Sequence, residues 1–120
     1  MARILIVDDE EVFRSGLKTF LTAKGYAVEA APSGEEGVEE MKKFRPQLVL
    51  LDVRMPGIGG LDALPRMKNI DPSVRVIMVT AIHDIEIAQL AVERGADDYI
   101  TKPVDMNYLQ NSILIQHFNG

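Results

Sequence analysis

The chain has 120 residues and a formal net charge of −5 at pH 7, so it fits one compact domain and is poorly suited to bind nucleic acid or an anionic membrane. It contains no cysteine, which excludes disulfides, thiol catalysis and cysteine metal sites, and no apolar run approaches the ~20 residues that span a bilayer. Acidic residues begin at Asp8, so the N-terminus does not predict a signal peptide, and we expect a cytoplasmic protein.

Short apolar segments alternate with longer segments of helical spacing. The apolar segments are Ile4–Val7, Ala27–Ala31, Gln47–Leu51, Val74–Val79 and Asp98–Ile100. Continuous apolar runs of this length are typical of strands buried on both faces of a parallel sheet. The alternation therefore predicts five successive βα units, which form a three-layer α/β domain over residues 1–120.

The ends of three predicted helices carry recognisable signals. The second helix begins with a capping box at Ser33, and the fifth begins with Asp105 as its N-cap. The third helix contains Pro65, which lacks a backbone N–H. We therefore expect this helix to begin at about Leu61 or Asp62, so that the proline lies where N–H groups have no partner.

The fourth helix is predicted over residues 84–94, before a glycine. A helical wheel buries Ala88, Ala91 and Val92 on the side facing the sheet. The same wheel turns Leu90 outward, and we expect this leucine to contribute to a partner surface.

Residues able to do chemistry follow four of the predicted strands, where open parallel sheets bind their ligands. They are Asp8, Asp9, Glu10, Asp52, Thr80 and Lys102. Singly, an aspartate after a strand is usually a cap or turn residue, and a lysine is usually a solvated charge. Because adjacent carboxylates repel one another, we expect a cation to join them when they lie at one edge.

Two kinds of chemistry suit this set. Mg²⁺ prefers oxygen ligands, and Asp8, Asp9 and Asp52 can supply them. A carboxylate can also attack phosphorus to form an aspartyl phosphate, and Asp52 stands alone after the central strand. Lys102 and Thr80 can then neutralise or hydrogen-bond the phosphoryl oxygens.

Four segments occur in a characteristic order, namely Ile6–Glu10, Leu48–Gly57, Val79–Ala81 and Gly95–Pro103. Along its whole length the sequence resembles the receiver domain of two-component response regulators, of the chemotaxis-regulator type. The resemblance implies a flavodoxin-like fold with parallel strand order 2-1-3-4-5. It also implies a signalling switch that catalyses only its own aspartyl phosphorylation and dephosphorylation.

The resemblance implies a role for each matching residue. Asp52 is the expected phosphoacceptor for a phosphohistidine donor. Asp8, Asp9 and Asp52, together with the backbone carbonyl of Arg54, are the expected Mg²⁺ ligands. Lys102 is the expected catalytic lysine.

Further expectations concern the switch and the pocket rim. Thr80 acts as both a catalytic and a switch hydroxyl, coupled to the switch aromatic Tyr99, and the bond before Pro103 is expected to be cis. Arg54 and Ile82, each two residues after a site residue, are expected to cover the phosphoryl group and slow its hydrolysis.

The expected partners follow from the same resemblance. A histidine kinase or phosphotransfer protein docks near the first helix. An output partner, an effector domain or a second copy binds the surface of the fourth helix, fifth strand and fifth helix. No nucleic acid or membrane is expected to bind this chain directly.

Two other functions are less consistent with the sequence. A Mg²⁺-dependent phosphatase with an aspartate nucleophile has a second aspartate two residues after the first, where this chain has Glu10. A flavin mononucleotide module has a first loop rich in serine, threonine and glycine, whereas this loop is acidic and repels phosphate. The chain departs from the receiver pattern at Gly59, often Asp, Asn or Ser in the family, and at Pro65.

Overall fold

The computed structural model describes residues 2–119, which form five strands and five helices in alternation. The elements are β1 (Arg3–Val7), α1 (Glu11–Ala23), β2 (Ala27–Ala31), α2 (Gly34–Phe44), β3 (Leu48–Leu51), α3 (Gly60–Ile70), β4 (Arg75–Thr80), α4 (Ile85–Glu93), β5 (Asp98–Thr101) and α5 (Met106–Asn119). Each strand lies within one residue, at either end, of the apolar run that predicted it. Within residues 2–119, no helix combines the length and hydrophobicity needed to cross a membrane.

The strands form one parallel sheet in the order β2-β1-β3-β4-β5, which confirms the predicted flavodoxin-like arrangement. Successive strand residues point to opposite faces of the sheet, so each strand contributes to two apolar clusters. Leu51 packs on the face covered by α2, α3 and α4, and Leu50 packs on the face covered by α1 and α5. The sheet is therefore the middle of three layers, and its inner strands β1, β3 and β4 are buried on both sides.

The register of the sheet brings the carboxyl ends of neighbouring strands together. Val7 of β1 pairs with Leu51 of β3, so Asp8 and Asp52, which follow them, are adjacent. The strands β4 and β5 end together at the same edge, which brings Lys102 toward the two aspartates.

The helix caps predicted from the sequence are present. The side chain of Ser33 accepts a hydrogen bond from the backbone N–H of Glu36 at 3.2 Å. Asp105 Oδ1 accepts hydrogen bonds from the backbone N–H groups of Asn107 and Tyr108, at 2.9 and 3.2 Å. These contacts satisfy N–H groups that the first helical turn leaves free.

The prediction for the start of α3 was wrong. The helix begins at Gly60, so Pro65 lies beyond its first turn and leaves the carbonyl of Leu61 without its usual N–H donor. Arg94, at the end of α4, donates to that carbonyl at 2.7 Å and lies 3.3 Å from the Asp62 carboxylate. A guanidinium from another helix thus replaces the N–H that the proline lacks.

The helical wheel for α4 was right for Ala91 but wrong for Val92 and Leu90. Ala91 is fully buried and Ile87 packs against the core, so these two residues define the inward face. Val92 is 60% exposed, whereas Leu90 is partly buried. The outward apolar residues are therefore Val92 and Ile85, and the predicted arc is rotated relative to the true one.

Candidate functional site

Two buried aspartates lie at the centre of the sheet's carboxyl edge. Asp8 is 2% exposed and Asp52 is 6% exposed. Their backbone N–H groups extend the sheet ladder, since Asp8 donates to the carbonyl of Ala31 and Asp52 to that of Val7. The sheet itself therefore fixes the backbone of both residues, and their side chains point past its edge.

Lys102 joins the acidic groups. Its ammonium donates to Asp8 Oδ2 at 2.7 Å, to Glu10 Oε1 at 2.7 Å and to Asp52 Oδ2 at 3.4 Å. An ammonium has three N–H donors, so each donor has one carboxylate. The lysine thus neutralises carboxylates whose burial together is otherwise unfavourable. The peptide bond between Lys102 and Pro103 is cis, as the resemblance implied.

The environment shifts two pKa values in this cluster. Burial raises the pKa of Asp8 above its ordinary value, and the charge of Asp52 acts in the same direction, while hydrogen bonds from Lys102 and from the Glu10 N–H oppose the rise. Burial acts to lower the pKa of Lys102, but its hydrogen bonds with Asp8 and Glu10 outweigh burial and raise that pKa. The lysine therefore keeps its positive charge at neutral pH.

Three carboxylates in the cluster are close enough to share a metal ion. Oxygens of Asp8, Glu10 and Asp52 lie within 4.8 Å of one another. Carboxylate oxygens are the donors that Mg²⁺ prefers, so the residues fit this ion. Asp9, which the sequence had suggested as a ligand, is exposed and lies outside this group of three, although it lines the same cavity as Asp52.

A cavity of about 350 Å³ opens beside Asp52. Its lining comprises Asp9, Glu10, Asp52, Arg54, Thr80, Ala81 and Ile82. Asp8 is not among these residues, although its carboxylate is adjacent. The cavity therefore gives access to one of the two buried aspartates. It brings together six of the positions that the sequence analysis had singled out, namely Asp9, Glu10, Asp52, Arg54, Thr80 and Ile82.

Thr80 and Tyr99 both contact the backbone of Ile82. Thr80 is 1% exposed, and its hydroxyl oxygen accepts a hydrogen bond from the Ile82 N–H at 3.3 Å. The Tyr99 hydroxyl donates to the Ile82 carbonyl at 2.9 Å. Burial raises the pKa of Tyr99, and the charges of Asp52 and Asp84 add to the effect. The two predicted switch residues are thus linked through one peptide segment.

The glycines after β3 allow the chain to pass close to the strand it has just left. The Gly60 N–H donates to the Val53 carbonyl at 2.7 Å, and a Cβ atom at Gly60 would collide with the Asp52 carbonyl. A Cβ atom at Gly59 would lie 2.7 Å from the Val53 oxygen. The departure from the receiver pattern at Gly59 therefore has a steric reason in this chain.

Sequence reasoning missed three residues that hold the site together. Glu10 was noted as an acid but was given no role, although it contacts Lys102. Arg14 donates to the backbone carbonyl of Asp8 at 2.8 Å. Phe13 was given no role at the site, yet its ring centroid lies 4.2 Å from the Lys102 ammonium. Glu10 and Phe13 meet Lys102 from the other end of the chain, and local spacing gave no signal of these two contacts.

Comparison with known proteins agrees with the geometry. A family model described as the response regulator receiver domain matches residues 4–114. Sporulation initiation phosphotransferase F of Bacillus subtilis is 37% identical over 111 residues, which cover 92% of this chain and 90% of that protein. Transcriptional regulatory protein AfsQ1 of Streptomyces coelicolor is 36% identical over 113 residues, covering 94% of this chain. The match spans 50% of the length of AfsQ1.

A solved structure with bound ligands is also similar. The response regulator protein TrrA of Thermotoga maritima, in complex with Mg²⁺ and BeF, superposes with a TM-score of 0.87 at 32% identity. The match covers 97% of this chain and 99% of that one. With the strand order, the paired aspartates and the family match, the chain belongs to the response regulator receiver domain family.

Proposed function

We propose that this receiver domain accepts a phosphoryl group on Asp52 from a phosphohistidine donor and then changes its surface at α4, β5 and α5. The observation that carries the choice of Asp52 is its access to the cavity, which Asp8 lacks. Both oxygens of Asp8 are already engaged, one by Lys102 and one by the Glu10 N–H. Within residues 2–119, the Asp52 carboxylate has only the longer contact to Lys102, so it is free to react.

The reaction transfers the phosphoryl group in one displacement. An oxygen of Asp52 forms the new bond to phosphorus, while the bond from phosphorus to the donor nitrogen breaks and leaves its electron pair on the imidazole. Lys102 neutralises a phosphoryl oxygen, and the Thr80 hydroxyl hydrogen-bonds another. Mg²⁺, held by carboxylates of the cluster with Asp9 and the Arg54 carbonyl as further candidate ligands, adds positive charge when bound. The chain catalyses only this phosphorylation of its own aspartate and the later hydrolysis of the aspartyl phosphate.

The switch follows from what the new group attracts. The phosphoryl oxygens draw the Thr80 hydroxyl away from the Ile82 N–H, and Tyr99 then leaves the Ile82 carbonyl and turns inward. A charge-assisted hydrogen bond contributes roughly 1.5–3 kcal/mol, which is enough to shift a balance between two states a few kcal/mol apart. Support comes from the backbone of Ile82, whose N–H donates to Thr80 and whose carbonyl accepts from Tyr99.

Two surfaces suit the two partners. Val12, on the first turn of α1, is 88% exposed close in sequence to the acidic residues, and we assign the kinase or phosphotransfer protein to this end. Ile85 and Val92 of α4 are 72% and 60% exposed, and Tyr108 and Ile115 of α5 are also exposed. We assign the output partner to these residues. The cytoplasm is the location expected from the sequence.

The assignment of Asp52 is tested by intact mass. After incubation with acetyl phosphate and Mg²⁺, the protein should gain one phosphoryl group, and Asp52→Ala should gain none. The exposed Asp62→Ala serves as a matched aspartate control and should be phosphorylated like the parent. Uptake of phosphoryl by Asp52→Ala equal to that of the parent would show that the acceptor is another residue.

A further inference from the structure

An aromatic ring lies against the lysine of the site. The Lys102 ammonium is 4.2 Å from the centroid of the Phe13 ring. Phe13 is partly buried and packs against the apolar cluster between the sheet and the layer of α1 and α5. Its ring is therefore fixed by the core on one side and contacts the ammonium on the other.

The surroundings of Lys102 strengthen this contact. The lysine side chain is 11% exposed, so little water competes for its charge. The attraction between a cation and an aromatic face grows when the cation is desolvated. A ring also accepts no conventional hydrogen bond, so it leaves the three N–H donors of the ammonium for Asp8, Glu10 and Asp52.

Packing alone does not require an aromatic residue at this position. Leu17 and Leu21 follow Phe13 at four-residue steps on the same face of α1, and both are buried. A leucine at position 13 would continue that apolar face but would offer no attraction to a cation. Packing in the core therefore explains an apolar side chain at position 13 but does not explain why it is aromatic.

We propose that Phe13 is a positioning residue, whose ring holds the Lys102 ammonium beside Asp8 and Asp52 before a phosphoryl group arrives. The role of Lys102 toward that group rests on the proposed function, whereas the contact itself does not. A lysine has four rotatable side-chain bonds, and confining it beforehand removes an ordering cost from the reaction. Phe13 acts through Lys102 and touches no reacting atom.

The same helix offers a matched control. Lys24 lies over the ring of Phe20 at 5.4 Å, near the opposite end of α1 from the site. Phe20 is also partly buried and packs against the same cluster. Replacing Phe20 by leucine therefore removes a ring of similar burial, and a longer contact with an exposed lysine, without touching the site.

The kinetic test compares four single variants and one double variant with acetyl phosphate and Mg²⁺. Phe13→Leu should slow phosphorylation about tenfold, the effect of losing a desolvated cation–ring contact, while Phe13→Tyr and Phe20→Leu should stay within about twofold of the parent. Lys102→Met should be slow with or without Phe13→Leu added. An equal further loss from Phe13→Leu in the Lys102→Met background would make the role merely structural and overturn the proposal.

A second measurement, by NMR, detects the contact itself and needs no phosphorylation. Protons on the carbon next to the Lys102 nitrogen should resonate upfield of those of exposed lysines such as Lys18, because they lie over a ring. Phe13→Leu should abolish the shift, and Phe20→Leu should leave it. An unshifted Lys102 signal in the parent would overturn the proposal. If the Lys102 signal is shifted but Asp52→Ala takes up as much phosphoryl as the parent, the contact between Lys102 and Phe13 stands and the proposed function is wrong instead.

Discussion

The site has two ends, and they are held in different ways. At one end, the Lys102 ammonium contacts three carboxylates and an aromatic ring. At the other end, the side chains of Thr80 and Tyr99 each make one hydrogen bond, and both bonds go to the backbone of Ile82. The lysine end is assembled before any ligand binds, whereas the tyrosine end is held by contacts that one competitor can replace.

The helices beside these ends differ in the same sense. The helix α3, which begins against Asp52 at the lysine end, buries four of its residues. The helix α4, which packs in the same cluster as Tyr99, buries only Ala91 and exposes Ile85 and Val92. A segment with few buried contacts rearranges at low free-energy cost. The residues proposed for the chemistry therefore lie on the more densely packed side of the fold, and those proposed for the response lie on the loosely packed side.

The largest effect should separate the two ends directly. Lys102→Met removes the charge that meets a developing phosphoryl oxygen, and we expect phosphorylation by acetyl phosphate to slow by about 10²–10³-fold. Thr80→Ala removes one neutral donor and should slow it by no more than about tenfold. Lys42→Met, at an exposed lysine, is the control. Equal losses in the Lys102 and Thr80 variants would contradict the division.

The lifetime of the phosphorylated form should depend on the rim of the cavity. Arg54 and Ile82 line it beside Asp52, and neither side chain is a suitable base for water. We expect a long-lived phosphoryl group, and faster loss when Ile82→Glu is combined with Arg54→Asn, by up to about a hundredfold, the lower range for a positioned base. Loss of phosphoryl label at fixed Mg²⁺ measures this. Identical decay in the two proteins would mean that these positions do not control water access.

Alkaline pH should weaken both ends, and the lysine end more. The pKa values of Lys102 and Tyr99 are raised by the fold above their ordinary values of 10.5 and 10.0. The unfolded chain therefore loses these protons first, and the free energy of unfolding falls as the pH rises through about 10 and above. Urea denaturation at several alkaline pH values should show a shallower fall in Lys102→Met, and a smaller change in Tyr99→Phe. A parent slope retained in Lys102→Met would refute the assignment.

The smallest effect concerns the anchor between α3 and α4. Arg94→Ala leaves the Leu61 carbonyl without a donor and should lower the free energy of unfolding by about 1 kcal/mol. Pro65→Ala restores a backbone N–H to that carbonyl, so Arg94→Ala should then cost less. Denaturation of the two single variants and the double variant measures the coupling. Additive losses would show that the guanidinium does not substitute for the missing N–H.

The fold was predictable because its signals are local and repeated. The strands are short and mostly apolar, and parallel strands bring the residues after them to one edge, so the positions of Asp8, Asp52, Thr80 and Lys102 followed from the pattern. The contacts of Lys102 did not follow, because Glu10 and Phe13 meet it only after the two ends of the chain come together. These residues occupy helix α1 and its approach, where local spacing suggests only solvent or core.

The two helix errors have related causes. The wheel for α4 placed Ala91 on the inward face correctly, but its arc was rotated, because Ile87 rather than Val92 packs against the core. For α3, the sequence rule for Pro65 assumed that the helix's own N–H groups must supply every hydrogen bond to its carbonyls. Arg94 satisfies it from the end of α4, a contact visible only in three dimensions.

The most direct test of the account is a pair of crystal structures, one of the free protein and one with Mg²⁺ and beryllofluoride bound at Asp52. We expect the Tyr99 hydroxyl to leave the Ile82 carbonyl and the Thr80 hydroxyl to move to the beryllofluoride, while Lys102 stays over the Phe13 ring. Tyr99 in the same position in both structures would contradict the division between an assembled end and a responsive one. Displacement of Lys102 from the ring would contradict it as well.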